Sequence, residues 1–225
     1  MPDPPEDDAD AGLDGRAARA ERRRAERREA ILAAAKRVFR DKGYHQASVH
    51  DIIDDARIAR GTFYLYFDSK QEVFGQLVDD FLVLLRSQVR RIAIAPAAEP
   101  PIEQLRANFR RVLGTVLAHD DVASIILRDR TSFDEESRAR VVQFFDQVRG
   151  MIEDALRVGQ SLGIVRACEV HIVAVVALGG LLDACQSMLA AHDDDPARRM
   201  RERSFADADA VADELLAFLL RGIGA

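Results

Sequence analysis

Apolar residues recur at helical spacing along most of the chain, and the first clear run lies near the N-terminus. Ile31, Ala34 and Val38 fall on one face of a helix. The Ala, Arg and Glu residues before them are strong helix formers, and Gly43 is suited to ending a helix. The pattern therefore predicts a first helix over about residues 25–42.

Two shorter helical patterns follow, separated by a brief break. Val49 and Ile52 belong to a narrow apolar face that begins just after Ser48, a residue suited to capping a helix N-terminus. The pattern predicts one helix over about residues 48–56 and another over about 59–66. Two short, closely connected helices behind a helix with a basic start are typical of a helix-turn-helix DNA-binding unit.

The rest of the chain continues the helical pattern. A longer helix capped by Asp68 or Ser69 extends towards Arg91, before a proline-containing segment. Further helices are predicted over residues 102–118, 122–130, 135–162, 169–191 and 207–220. No alternation of apolar and polar residues indicates a β-strand. We therefore predict an all-α chain, in which a three-helix N-terminal domain is followed by a helical bundle.

The distribution of charge changes the picture that the average gives. A net charge of -6 argues against a nucleic-acid partner. However, residues 1–15 carry -6, residues 16–70 carry +6 and residues 71–225 carry -6, so the basic segment coincides with the helix-turn-helix pattern. The predicted organisation is a disordered acidic tail at 1–20, a DNA-binding domain at 21–70 and a helical domain at 71–225.

Composition and motifs exclude several other classes. Two cysteines and no Trp exclude a disulfide scaffold and a structural zinc module. The longest apolar run, residues 172–182, has 11 residues, about half of the ~20 that a membrane helix needs. The N-terminus is acidic and unlike a signal peptide, so we expect a cytoplasmic protein. Phosphate-loop, nucleophile-elbow and zinc-protease motifs are absent, and the histidines lack metal-ligand spacing, so neither an enzyme nor a metal or cofactor site is predicted.

A more specific signal lies between residues 43 and 70. Its parts are Gly43-Tyr44, Ser48-Val49, Asp51-Ile52, Ala56, Ile58, Arg60-Gly61-Thr62-Phe63-Tyr64, Tyr66-Phe67 and Lys70. In order and spacing these residues resemble the N-terminal pattern of the TetR (tetracycline-repressor-like) family of bacterial transcriptional regulators. The remaining two-thirds of the chain is similar to that family in length and helical layout.

The resemblance implies that the second short helix enters the DNA major groove while neighbouring residues contact phosphates. The implied DNA-binding residues are Arg27, Arg28, Ser48, Arg60, Gly61, Thr62, Tyr64, Tyr66 and Lys70. Two alternatives stay open. Tyr64 and Tyr66 also suit half-buried structural aromatics. The basic run that contains Arg27 and Arg28 suits either a solvated helix face or an arm along phosphates or the minor groove.

Three positions depart from the family pattern. Arg57 stands at the turn where glycine is usual, and a positive φ there would cost about 1 kcal/mol. Ala59 replaces the usual capping serine, which loses about 1 kcal/mol of helix capping. Ile53 replaces a small residue, so a wider crossing of the two short helices is expected. These departures affect the docking geometry rather than the DNA-binding assignment, and Arg57 also suits an added phosphate contact.

For residues 71–225 the resemblance implies a homodimer and an effector pocket. The implied dimer interface comprises Val175, Gly179, Leu182, Leu215, Phe218 and Leu219. The candidate pocket comprises Phe109, Phe144, Phe145 and Met151, although aromatics at helical spacing equally suit a core. The resulting hypothesis is a repressor that binds a palindromic operator as a homodimer and is released by a small apolar or amphipathic effector. The alternatives are a redox-responsive regulator acting through Cys185 and a small-molecule-converting helical enzyme.

Overall fold

Helix follows helix in the computed structural model, which describes residues 8–95, 97–128, 133–192 and 195–224. Those residues contain no β-strand, only an isolated bridge between Val165 and Gly224. The helices are α1 (Asp8–Lys42), α2 (Val49–Ala56), α3 (Arg60–Phe63), α4 (Lys70–Gln88), α5 (Pro101–Ala118), α6 (Asp120–Arg128), α7 (Glu135–Ser161), α8 (Val170–Ala191), α9 (Pro196–Arg201) and α10 (Ala208–Ile223). The predicted all-α fold is confirmed.

One short helix was missed by the sequence pattern. The polar segment after α8 was expected to be a loop, but it contains α9 and a 3-10 turn over Arg203–Phe205. Asp195 accepts a hydrogen bond from the Ala197 N–H, and Pro196 occupies the first turn. Both are local start signals, whereas the apolar periodicity on which the prediction relied is absent from so short a polar helix.

Helix α1 is longer than its apolar pattern predicts, since it begins at Asp8 rather than near residue 25. Residues 8–20 are therefore helical where disorder was expected, and residues 1–7 lie outside the described part of the chain. The Ala, Arg and Glu residues that make up most of residues 18–30 are strong helix formers. Residues 18–27 are exposed, so the basic run lies on a solvated stretch of helix.

The first four helices share one apolar core. Phe39 of α1, Ile52 of α2, Phe63 of α3 and Phe74 of α4 are almost completely buried. The same cluster continues into the bundle, because α4 packs with both halves of the molecule. The division between residues 70 and 71 stays a prediction, since the packing is continuous across it. A movement of α4 would therefore reach both halves.

The turn between α2 and α3 is built on a left-handed backbone. Arg57 has φ 53° and ψ 45°, and its N–H donates to the carbonyls of Asp54 and Ile53. The positive φ considered from the sequence is therefore present, with its expected cost of about 1 kcal/mol for a residue other than glycine. Ala59 begins α3 without a side-chain cap, as its lack of a polar group dictates, and Ile53 is buried in the core.

Replacing Arg57 by glycine should raise the free energy of unfolding by about 0.5–1 kcal/mol, measured by urea denaturation. Glycine adopts this φ without a Cβ clash, and the gain is partly offset by the greater entropy of the unfolded chain. The control is Arg57→Ala, which removes the same exposed side chain but keeps the strained backbone, and it should give no gain. If both variants were stabilised equally, the destabilisation at this position would come from the arginine side chain and not from the strained backbone.

Helix α8 is apolar nearly all round, yet this chain covers only one of its sides. Leu178 and Cys185 are buried. Val175 and Val176 are exposed on the same helix, and Phe218 of α10 is 74% exposed. The described residues therefore leave an apolar surface on α8 and α10 without cover.

Two glycines lie on this uncovered surface. A Cβ built on Gly179 or Gly180 would meet nothing within 4 Å, so no atom of another described element packs directly on these two positions. Among the described helices, α8 is also the one long and apolar enough to cross a membrane by length and composition. The sequence analysis counted only uninterrupted apolar residues, and Asp183 ends that run, so it did not identify α8 as long and apolar enough to span a membrane. A core helix of a water-soluble protein passes the same test.

Candidate nucleic-acid interface

Helix α2 begins at a fully formed capping box. The Ser48 Oγ accepts a hydrogen bond from the Asp51 N–H at 3.2 Å, and the Asp51 Oδ2 accepts from the Ser48 N–H at 2.9 Å. Lys42 Nζ donates to Asp51 Oδ1 at 2.6 Å, and the hydrogen bonds from Lys42 and Ser48 hold the pKa of Asp51 well below its ordinary range. Because the Ser48 side chain is used in the cap, this terminus offers a phosphate mainly its backbone N–H groups.

Helix α3 presents two very different faces. Phe63 and Phe67 are buried in the core. Arg60, Gly61 and Tyr64 are exposed on the other side, and Tyr64 remains 43% exposed. The aromatic residues therefore divide into anchors that hold the helix and a side chain that is available to a partner.

Helix α3 ends at Phe63, although the prediction extended it to residue 66. The Leu65 N–H donates to the Thr62 carbonyl and the Tyr66 N–H to the Phe63 carbonyl, so the last turn tightens to bonds between residues three apart. Tyr66 is half-buried and packs against the core, which favours a structural role for this residue over a DNA contact. Leu65 is 73% exposed beside Tyr64 and was missed, although an aliphatic side chain there suits a thymine methyl group.

The exposed residues of α3 are prearranged for a partner. The Arg60 guanidinium carbon lies 5.8 Å from the centre of the Tyr64 ring, so the two side chains stack. A Cβ on Gly61 would meet nothing within 4 Å, so the chain's own packing does not demand a glycine there. Thr62 is partly exposed between them. The surface can therefore approach another molecule closely at Gly61 and offer hydrogen-bond donors on either side.

Lys70 has an intramolecular role that the sequence did not indicate. Its ammonium donates to the carbonyls of Tyr44 and Ala47, at 2.9 Å each, and lies 4.4 Å from the centre of the Tyr44 ring. Burial lowers the pKa of Lys70, opposed by the charge of Asp134. These contacts tie the start of α4 to the turn before α2. A phosphate contact by Lys70 stays a prediction, because its hydrogens already have acceptors in the protein.

Replacing Lys70 by methionine should lower the free energy of unfolding by about 2 kcal/mol while leaving the salt dependence of DNA binding unchanged. The methionine keeps the apolar stem but leaves turn carbonyls without a donor. Thermal or urea denaturation measures the first effect, and binding at several salt concentrations measures the second. A fall of about one in the slope of log K against log salt would instead identify Lys70 as a direct phosphate contact.

The two arginines proposed for a basic arm lie in different surroundings. Arg27 is exposed on α1. The guanidinium carbon of Arg28 lies 5.3 Å from the centre of the ring of Phe67, which is buried in the core. Arg28 is therefore partly a structural residue, whereas the exposed position of Arg27 suits either a solvated face or an arm.

The predicted dimer residues lie on α8 and α10 with graded exposure. Val175, Gly179 and Phe218 are exposed. The remaining three are half-buried: Leu182, Leu215 and Leu219. All six lie on the two helices that leave an apolar surface uncovered, and their place in a dimer interface stays a prediction.

The predicted pocket residues are divided between core and half-buried positions. Phe144 is buried, and its ring stacks on Phe81 with centroids 6.1 Å apart. Phe109, Phe145 and Met151 are half-buried. This arrangement fits the core interpretation of the aromatic residues that the sequence left open.

A cleft of about 310 Å³ lies among α1, α4 and the start of α6. Its lining residues are Glu29, Leu32, Ala33, Lys36, Leu77, Asp80, Phe81, Leu84, His119 and Val122. None of the four predicted pocket residues lines it, although Phe144 packs directly behind Phe81. The sequence could not indicate this cleft, because its walls come from three helices that are distant in the chain.

Cys185 lies in an environment that disfavours redox chemistry. It is 5% exposed, and burial raises the pKa of its thiol to about 12. Since the thiolate is the reactive form, the buried thiol is inert at neutral pH. Cys168 is half-buried and also free. The redox alternative therefore finds no support in the surroundings of Cys185.

The chain matches two family models. Residues 31–77 match the model described as "Bacterial regulatory proteins, tetR family". Residues 98–186 match "Tetracyclin repressor-like, C-terminal domain". The first match contains α2, α3 and most of the exposed surface described above, and the second contains most of the bundle.

Individual proteins agree with these matches. The HTH-type transcriptional repressor DhaR of Mycobacterium sp. (strain GP1) is 23% identical over 139 residues, covering 62% of this chain and 70% of DhaR. The HTH-type transcriptional repressor KstR2 of Mycolicibacterium smegmatis is 34% identical over 85 residues, covering 38% of this chain and 40% of KstR2.

A solved structure shares the overall fold. AibR, in complex with isovaleryl coenzyme A and operator DNA, superposes with a TM-score of 0.62 at 22% identity, covering 85% of this chain and 97% of AibR. Together, the two family models account for the helix-turn-helix domain and for the helical bundle behind it. The chain belongs to the tetR family of bacterial regulatory proteins, whose members are helix-turn-helix transcriptional regulators.

Proposed function

We propose that this protein is a ligand-responsive transcriptional repressor that binds a palindromic operator as a homodimer. The observation that carries the proposal is the surface of α3, where Arg60, Gly61 and Tyr64 are exposed while Phe63 and Phe67 anchor the helix from behind. Arginine recognises guanine edges, a glycine permits close backbone approach, and a tyrosine hydroxyl binds phosphate or base. The N-terminus of α2 adds backbone N–H groups for a phosphate.

The uncovered face of α8 and α10 supports a dimer. Exposed Val175, Val176 and Phe218 together form an apolar surface of the kind that marks interaction sites. Gly179 and Gly180 leave room for a close helix from a second copy. A two-fold dimer would place two copies of α3 about 34–36 Å apart, which matches successive major grooves on one side of a palindrome.

The proposed effector is a small apolar or amphipathic molecule. AibR, which shares the fold, is described in complex with isovaleryl coenzyme A. The effector would bind within the bundle and favour an arrangement in which the two DNA-binding domains no longer fit the operator. A preference of about 1–3 kcal/mol for that arrangement weakens operator binding about 5- to 150-fold. Helix α4 is suited to transmit the change, because it packs with both halves of the molecule.

The same proposal places the protein in the cytoplasm, where its DNA is, and assigns it no catalytic activity. α8 would then be a dimer helix rather than a membrane span, which agrees with its partly buried side. In this reading the acidic bundle stays away from phosphates, and the basic segment at residues 16–70 faces the DNA.

Selection from a pool of random DNA duplexes tests this function. The full chain should enrich a palindrome with two half-sites, and its binding should weaken steeply as salt is raised. Sedimentation of the complex should give two chains per duplex. Enrichment of no sequence, or of a single half-site bound by one chain, would contradict the proposal. The recovered operator would then identify the regulated genes and thereby the candidate effectors.

A further inference from the structure

A buried phenol lies where the DNA-binding domain meets the bundle. Tyr44, in the turn between α1 and α2, is 1% exposed. Its ring packs against three phenylalanines from different parts of the chain: Phe39 of α1, Phe74 of α4 and Phe133 just before α7, with centroids 5.3, 4.8 and 5.2 Å away. The apolar core alone therefore accounts for the burial of the ring.

The hydroxyl group of Tyr44 makes contacts of a different kind. It donates to Asp134 Oδ2 at 2.9 Å and lies 2.6 Å from the Oγ of Ser137, which is fully buried. A phenol has a single hydrogen, so when Tyr44 donates to Asp134 the serine hydroxyl donates to Tyr44. The result is an ordered chain of hydrogen bonds from Ser137 through Tyr44 to Asp134.

Asp134 joins this chain to both neighbouring helices. Its Oδ1 accepts the Ser137 N–H at 2.9 Å and so caps α7, while its Oδ2 also accepts from Gln71 Nε2 of α4 at 3.0 Å. Hydrogen bonds to the carboxylate lower the pKa of Asp134 against the opposing effect of burial. One carboxylate thus holds the first turn of α7, the second residue of α4 and the turn before α2.

We propose that this α7 junction, defined as Tyr44, Gln71, Asp134 and Ser137, fixes the angle of the DNA-binding domain on the bundle and thereby the half-site spacing that the dimer accepts. The inference rests on the proposed function, because spacing has a meaning only for a dimer on a palindrome. It assigns a specificity-determining role to four residues, none of which lies on the exposed surface of α3.

The physical reason is directionality. The free energy of burying apolar area is non-directional, so it constrains the angle between two elements less sharply than a hydrogen bond does. Hydrogen bonds weaken steeply when the donor angle departs from linear. A set that joins three elements through buried Tyr44 and Ser137 and the exposed carboxylate of Asp134 therefore favours one orientation. The described ion pair between Lys36 of α1 and Asp121 of α6 is looser, at 3.9 Å, and partly exposed. It adds little constraint on the angle.

The test measures affinity for operators of different length. The palindrome recovered by selection is compared with versions lengthened or shortened by one base pair at its centre. The full-length wild-type protein should discriminate clearly against both. Tyr44→Phe keeps the ring and its three phenylalanine contacts but removes the hydroxyl, and it should reduce this discrimination by about three- to tenfold. Ser137→Ala leaves the bond from Tyr44 to Asp134 and should have a smaller effect.

A matched control lies in the same region of the molecule. Arg140 of α7 approaches Asp79 of α4 at 3.5 Å, in an exposed pair that also joins these helices. Arg140→Gln should leave the spacing profile unchanged. If Tyr44→Phe does not fold, as judged by circular dichroism, Gln71→Met is the second variant. It removes the hydrogen bond from half-buried Gln71 to Asp134 and should likewise reduce the discrimination between operator lengths.

The outcomes are distinguishable. A Tyr44→Phe protein that keeps the wild-type spacing profile, or that loses affinity for all lengths by one common factor, would overturn the role of the junction while leaving the proposed function intact. The absence of any palindrome after selection with the wild-type chain would overturn both.

Discussion

Replacing Phe218 by glutamate should convert the protein to a monomer and lower its affinity for the palindromic operator by on the order of 100-fold or more. Phe218 is 74% exposed in the single chain, so the substitution leaves the core of the chain intact. In the proposed dimer the same position is covered, and each glutamate would be desolvated without a partner. A monomer contacts one half-site of the palindrome, so it loses the gain in affinity that the dimer obtains by binding two half-sites at once.

Sedimentation equilibrium measures the change in mass, and titration of labelled operator measures the affinity. The matched control is Val83→Glu on α4, at another exposed apolar position, 67% exposed and outside the uncovered face of α8 and α10. This control should remain a dimer with wild-type affinity. A Phe218→Glu protein that is still dimeric and binds the operator normally would place the dimer interface elsewhere.

Arg60→Ala should lower the affinity for the selected operator by about 10- to 100-fold while changing binding to random duplexes far less. The guanidinium stacks on Tyr64 and reaches out from the exposed face of α3, so it is placed to read a guanine edge. Arg60→Lys keeps the charge but loses the planar donor pair. If the contact is to a base, the lysine variant should retain the salt dependence and still lose sequence discrimination.

Arg37→Gln on α1 is the matched control for this experiment. Arg37 is also a surface arginine, but its guanidinium is paired with Asp55 at 2.6 Å. Its replacement should change affinity little, because Arg37 lies on α1 and its charge is already neutralised by Asp55, and the loss of an exposed pair costs little stability. Equal losses for specific and random DNA in Arg60→Ala would identify Arg60 as a phosphate contact, and no loss in either would contradict the assignment of α3 as the recognition helix.

The local parts of the DNA-binding domain were predictable from short stretches of sequence. Ser48 caps the start of α2, as its position just before the apolar face predicts. The left-handed backbone at Arg57 was considered from the position of that residue in the motif, and it is present. Each of these features depends on a few neighbouring residues, so periodicity and capping rules reach them.

Features that depend on distant contacts were not predictable in the same way. The resemblance implies a DNA contact for Lys70, but it does not show that the ammonium of Lys70 is also held by carbonyls more than twenty residues earlier in the chain. The predicted pocket residues lie on α5 and α7 and stay a prediction, while the cleft among α1, α4 and α6 is formed by residues that no sequence pattern brought together. Sequence spacing contains no information about which helices meet across the core.

By itself the sequence determined the all-α class, the helix-turn-helix motif and the basic segment concealed in a net charge of -6, because apolar periodicity, capping residues and charge are local properties. Tertiary structure alone decided how the motif is held. Tyr44 and Asp134 are 90 residues apart in the chain, yet their side chains meet at 2.9 Å. Such a contact follows from the packing of α1, α4 and α7 together, and only the folded chain brings its partners within hydrogen-bonding distance.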